Sequence, residues 1–119
     1  MTKKVYHLAN CKTCQRIISE LGIGEEFEYQ NIKTEKITEA QLDEMYHLAG
    51  SYEALFTRRS RKYRAWELHT KSLTEDDYRK YILEEYTFLK RPVFIVGDEI
   101  FIGNAKKTIA AIAQEIGRA

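Results

Sequence analysis

The sequence predicts an α/β fold: a four-stranded mixed sheet laid out as βαβ…ββα, with an all-helical insert between its halves. Three observations carry this. The first 32 residues read as strand, helix, strand; two short β-rich runs and an amphipathic helix close the chain; and the stretch between carries helix start signals but no strand pattern. At 119 residues the chain is the size of one domain, so residues 1–119 are expected to share one fold with an insert at about 38–88.

Lys4-Val5-Tyr6-His7-Leu8 has the pattern of a buried strand. Asn10 suits the N-cap of the next helix, where Cys14, Ile17, Ile18 and Leu21 recur at helical spacing until Gly22 stops it. Phe27 to Ile32 is rich in aromatic and β-branched residues, which predicts a second strand parallel to the first. In the insert, Thr38 and Gln41 form a capping-box pair ahead of Leu42, Met45, Tyr46 and Ala49, and Gly50 ends that helix. A short helical piece runs through Tyr52, Leu55 and Phe56. Thr74 and Asp77 repeat the capping signal before Tyr78, Tyr81, Ile82 and Leu89, which predict a helix reaching nearly to Pro92. Val93 to Val96 and Ile100 to Ile102 flank Gly97-Asp98, a dipeptide suited to a tight hairpin. Asn104 is placed to cap a last helix with its stripe at Ile109, Ile112, Ala113 and Ile116.

Charge and hydropathy narrow the function classes. Nineteen basic residues face eighteen acidic ones, a formal net charge of +1, so neither nucleic acid nor an anionic membrane is an expected partner. The apolar run after Met1-Thr2-Lys3-Lys4 is too short for a signal-peptide core or a membrane span, which predicts a cytoplasmic protein. In that compartment cysteines are kept reduced unless they cycle.

The two cysteines, Cys11 and Cys14, stand in a C-x-x-C at the end of the first strand, where open α/β sheets bind ligands. In an extended chain they lie too far apart to be bridged, but one helical turn brings them within disulfide reach. At a helix N-terminus, free N–H groups and the macrodipole favour a thiolate at Cys11. The motif alone is shared by redox enzymes, redox sensors and half of many zinc sites. A zinc site needs further ligands, and His7, His47 and His69 are scattered, so no metal is expected. An inert buried pair is disfavoured because a strand-to-helix turn exposes its first residues.

Three further features each have a bland and a functional reading. Pro92 is either a trans proline at strand entry or a cis-proline facing the cysteines. Arg58, Arg59, Arg61, Lys62 and Arg64 are either a solvated surface or, with Arg91, guanidinium and ammonium groups that hold an oxyanion or glutathione near the thiolate. One aromatic, Tyr63, and no recognition motif argue against a nucleic-acid patch. His7 is either a packed, hydrogen-bonded strand residue or a group that tunes the thiol four residues on.

Val5-Tyr6-His7 with Cys11-Lys12-Thr13-Cys14, then Glu53-Ala54-Leu55-Phe56-Thr57-Arg58, Leu89-Lys90-Arg91-Pro92-Val93 and Ile102-Gly103-Asn104 fall in a specific order and spacing. By these the chain resembles the arsenate reductase (ArsC)/Spx family of thioredoxin-like proteins over nearly its whole length. The resemblance implies a thioredoxin-like sheet in which Pro92 is cis and lies beside the reactive cysteine. It implies that Cys11 attacks the arsenic of arsenate, that Arg58 and Arg91 bind the oxyanion or intermediate, and that His7 matches a histidine near the cysteine. It further implies glutathione as co-substrate and a glutaredoxin or thioredoxin-type protein as reductant, with no bound cofactor. Glutaredoxin-linked members carry a third arginine just after the last strand, where this chain has Gly103-Asn104. Losing such a charge-assisted donor costs about 1.5–3 kcal/mol, or tenfold and more in oxyanion affinity. Those members lack a cysteine at the place of Cys14, whereas Spx-like regulators have one and use the pair as a redox-sensing disulfide. Spx regulators continue past the last helix, and the length here matches the short members. The expected function is an arsenate reductase-like thiol:disulfide oxidoreductase, with Cys14 as resolving cysteine. The alternative is an Spx-type redox switch that binds RNA polymerase without turnover.

Overall fold

The computed structural model describes residues 2–117. In chain order the elements are β1 (Lys3–His7), α1 (Lys12–Leu21), β2 (Glu28–Asn31), α2 (Glu39–Ala49), α3 (Arg61–Ala65), α4 (Glu75–Glu84), β3 (Val93–Val96), β4 (Glu99–Ile102) and α5 (Lys106–Glu115), with 3-10 turns at Glu53–Leu55, Leu68–Thr70 and Tyr86–Phe88. They fall into two compact units, Met1–Glu35 with Arg91–Ala119, and Lys36–Lys90.

The first unit holds the mixed sheet in the order β2-β1-β3-β4. β1 runs parallel to β2, with Val5 opposite Tyr29, and antiparallel to β3, with Val5 opposite Phe94. β3 and β4 form the expected hairpin, and Gly97 takes the left-handed φ of 61° that its tight turn needs. α1 and α5 pack on this sheet through Ile17, Leu21 and Ile112, which join Val5, Phe27 and Phe94 in one buried cluster. Each of these side chains contributes about 1.5–3 kcal/mol by leaving water. Phe27 meets Phe94 edge to face at 6.1 Å, which fixes the packing at the centre.

The second unit is helical and organised by aromatic rings. Phe56 stacks on Phe88 at 5.0 Å, and Tyr78, Trp66 and Tyr81 close around them. Both capping boxes form: Thr38 Oγ1 accepts from the Gln41 N–H while Gln41 returns a bond to the Thr38 N–H, and Thr74 and Asp77 do the same. Arg79 of α4 reaches Asp43 of α2 at 2.9 Å and Glu39 at 3.1 Å.

Three local expectations differ. Asn10 does not cap α1; Cys11 is the N-cap itself, because its N–H donates to the Leu8 carbonyl and uses Asn10 inside a turn. Likewise Ala105, not Asn104, precedes α5. The fourth helix stops at Glu84 rather than running on to Leu89. Glu85 turns extended and its carboxylate accepts from the Thr87 N–H, which starts the 3-10 turn and buries Phe88 and Leu89.

Candidate active site

The strand-to-helix junction gives the two cysteines different surroundings. Cys11 is half-buried at the head of α1, whereas Cys14, one turn on, is fully buried on the face it shares with Ile17 and Leu21. So the turn exposes only the first sulfur. No side chain caps α1, and its first turn carries no acidic residue. The unpaired N–H groups there are left for the Cys11 sulfur.

Burial works to raise the Cys11 pKa, but it is outweighed, and the thiol sits below its ordinary value. The opposing groups are the Cys14 N–H, the Cys14 thiol, the Thr13 N–H and the positive charge of Arg91. All four stabilise the thiolate and not the thiol. At Cys14 the balance reverses. Burial is the main cause, the hydrogen bond and the charge of Cys11 add to it, and the pKa is pushed up to about 11 against the pull of the Leu8 backbone and Arg91. One thiol is poised to ionise and its neighbour is held protonated as a donor to it.

The peptide bond between Arg91 and Pro92 is cis. Pro92 is buried directly before β3, and its carbonyl accepts the Gly103 N–H at 2.9 Å, so the segment after β4 lies against it. Gly103 has φ of 87°, a conformation that favours glycine there over an arginine. Asn104 next to it is exposed.

His7 stands apart from the thiolate's stabilisers. Burial lowers its pKa against a backbone hydrogen bond at Leu8, which favours the neutral imidazole, and its ring meets Tyr29 edge-on at 5.8 Å. Together with Gln15, Ile18 and Ile23 these rings line an open groove of about 520 Å³ between α1 and the edge strand β2. Arg58 belongs to the second unit, where its Nη2 donates to Glu53 Oε2 at 3.1 Å and to the Tyr78 hydroxyl at 2.9 Å. Arg59, Arg61, Lys62 and Arg64 are exposed. The structure thus brings Cys11, Cys14 and Arg91 into one electrostatic group, with Pro92 bonded to Arg91. The groups that sequence reasoning missed are the Thr13, Cys14 and Leu8 backbone donors, for which no residue type is a signal, and the Glu53 and Tyr78 partners of Arg58.

Among the described residues no three His, Cys, Asp or Glu side chains are grouped to hold a metal ion, and no helix is long and apolar enough to cross a membrane. The arrangement suits nucleophilic sulfur chemistry: an accessible low-pKa thiol, a cation beside it and a second thiol in contact.

Solved structures share this architecture. An arsenate reductase from Vibrio cholerae superposes with a TM-score of 0.78 at 17% identity, covering 94% of this chain and 98% of its own. A putative ArsC family related protein from Bacteroides fragilis gives 0.77 at 19% identity over the same shares. An arsenate reductase (ArsC) related protein from Brucella melitensis gives 0.70 at 21% identity, covering 93% of each chain. At these identities the likeness is one of fold. No curated protein matches significantly. The model of the ArsC family matches residues 6–112, which span the C-x-x-C, Arg58 and the Arg91–Pro92 step, and the chain therefore belongs to the ArsC family.

Proposed function

We propose that the protein is an arsenate reductase-like thiol:disulfide oxidoreductase in which Cys11 is the nucleophile, Cys14 the resolving thiol, and Arg91 and Arg58 the anion-binding groups. The observation that carries this is the depressed Cys11 thiol at the uncapped head of α1, with the charge of Arg91 beside it. In the first step the Cys11 thiolate attacks the arsenic of an arsenate ion and a hydroxyl leaves as water after taking up a proton. A second thiol then attacks the Cys11 sulfur; a disulfide forms, the sulfur–arsenic electron pair stays on arsenic, and arsenite departs. With an oxidised thiol as substrate, Cys11 opens a disulfide instead, and the mixed disulfide is resolved in the same way.

Cys14 suits the second step for an electrostatic reason. Its pKa is raised by burial and also by the hydrogen bond to Cys11 and the Cys11 charge. Once Cys11 is bonded to substrate both of the latter vanish, and Cys14 becomes easier to ionise when it is needed. Glutathione with a glutaredoxin, or a thioredoxin-type protein, would return the electrons, a cycle that fits the reducing cytoplasm.

The test is an arsenate reduction assay coupled to glutathione and glutaredoxin. Wild type is expected to turn over and Cys11→Ser to be inactive; turnover by Cys11→Ser would overturn the assignment. The contact between the two thiols equally favours a redox switch of the Spx type. RNA polymerase captured only from oxidised lysate, with no turnover in the coupled assay, would establish that reading in place of the enzyme.

A further inference from the structure

Arg58 is held in a closed triangle inside the second unit. Its Nη2 donates to the Tyr78 hydroxyl at 2.9 Å and to Glu53 Oε2 at 3.1 Å, and the Tyr78 hydroxyl donates to the same carboxylate oxygen at 3.4 Å. The guanidinium also lies over the Tyr78 ring, 5.8 Å from its centroid. The members of the triangle differ in mobility. Tyr78 is buried on α4 and is 6% exposed, whereas the Glu53 and Arg58 side chains are each about half exposed.

We propose that Glu53 is an internal anion that occupies Arg58 while no substrate is bound and is displaced when an oxyanion arrives, with Tyr78 as the fixed post on which the guanidinium stays. This rests on the anion-binding role given to Arg58 above and adds a residue that sets the affinity. The chemistry follows from the contacts. A carboxylate and a tetrahedral oxyanion make the same charge-assisted hydrogen bonds to a guanidinium, so they compete for it. The pair is surface-exposed and weak, so an incoming dianion can replace it. The Tyr78 hydroxyl, neutral because burial raises its pKa, does not compete. Glu53 is free to let go without unravelling its surroundings, because its backbone is held separately: its N–H donates to Glu75 Oε2 at 3.2 Å and the Tyr52 N–H to Glu75 Oε1 at 2.7 Å. Removing the carboxylate charge therefore raises the affinity of Arg58 for anions, the opposite of what loss of a positioning group would do.

The experiment is a sulfate titration of the full-length reduced protein at fixed ionic strength, followed on the Arg58 Nε–Hε resonance, with the arsenate KM and kcat measured in parallel. Glu53→Gln is expected to tighten sulfate binding and lower KM about two- to fivefold, the worth of one exposed ion pair, with kcat unchanged. The gain should shrink as salt is raised. In an Arg58→Ala background Glu53→Gln should change nothing, the signature of an effect exerted through Arg58. Glu53→Asp, one methylene shorter, serves as the second variant and should shift affinity in the same direction. Weaker or unchanged binding in both Glu53 variants, with Arg58→Ala still losing affinity, overturns the competitor role and leaves the anion-binding role standing. An Arg58→Ala protein that binds sulfate as wild type does overturns both.

Discussion

Cys11 and Cys14 are the same residue type one helical turn apart, and their thiols are driven in opposite directions by what surrounds them. The Cys11 pKa is lowered, so its thiolate population, and with it the rate of the sulfur chemistry, should rise with pH with a midpoint below the ordinary thiol value. Arg91 contributes to that through its charge. Arg91→Met should move the rise to higher pH, read as thiolate absorbance or alkylation rate, and a profile that stays in place would remove Arg91 from the site. Cys14 has a consequence for stability. Its folded pKa is raised from 9.0 to about 11, so the folded chain holds this proton more tightly than the unfolded one. The stabilisation is complete below pH 9 and is lost as pH climbs toward 11. In Cys14→Ala this alkaline limb should shrink to the part that Tyr29, Tyr52 and Tyr78, whose pKa values are also raised, contribute, a comparison made by urea denaturation at about pH 7 and about pH 10.5.

At the scale of the element, α1 begins on a residue chosen for chemistry and not for capping. Ser, Thr, Asp and Asn are the side chains that satisfy first-turn N–H groups, and α2 and α4 use Thr38 and Thr74 for this. Cys11 leaves the same groups without a side-chain cap. Cys11→Ser should therefore lose the sulfur chemistry and yet gain about 0.5–1 kcal/mol of stability at neutral pH, an exchange of stability for function. A measured loss of stability would mean that the neutral thiol already serves as the cap. The two Thr caps were legible because a capping box is a local pattern of residue types three apart. The start of α1 was not, since Asn10 is an equally good cap by type and only the turn from Leu8 to Cys11 excludes it. The end of α4 leaves no local signal for a related reason: Tyr78, Ile82 and Leu89 are all buried, but the last reaches the core through a 3-10 turn instead of a continued helix.

Over the whole molecule, the strands and the covering helices followed from residue pattern, because a strand buried on both faces and a helix with one apolar stripe leave distinct patterns in Val93–Val96 and Ile109–Ile116, whereas the strand order in the sheet is seen only in the folded chain. Side-chain pairing across long separations left no such trace. Arg58 and Tyr78 stand twenty positions apart, and Arg79 and Asp43 thirty-six, so neither link could be read before the chain was folded. The same contrast predicts where the molecule opens. β3 is buried at every position and hydrogen-bonded on both sides, and β1 is its partner, whereas β4 is a half-exposed edge. In the second unit, Thr57 donates to Phe88 and Leu55 accepts from Lys90 around the stacked Phe56 and Phe88 rings, while α3 buries no side chain at all. Amide protons that exchange only on global unfolding are found where both the hydrogen bond and the side chains around it are shielded. Native-state hydrogen exchange should accordingly be slowest at Val5, Phe94 and Ile95, and slow at Thr57 and Lys90. The amides of α3, between the exposed arginines, should exchange fastest among the helices. If α3 instead proved as protected as β3, its open face would have to be covered in solution, and the arginines there would be contact residues and not a solvated surface.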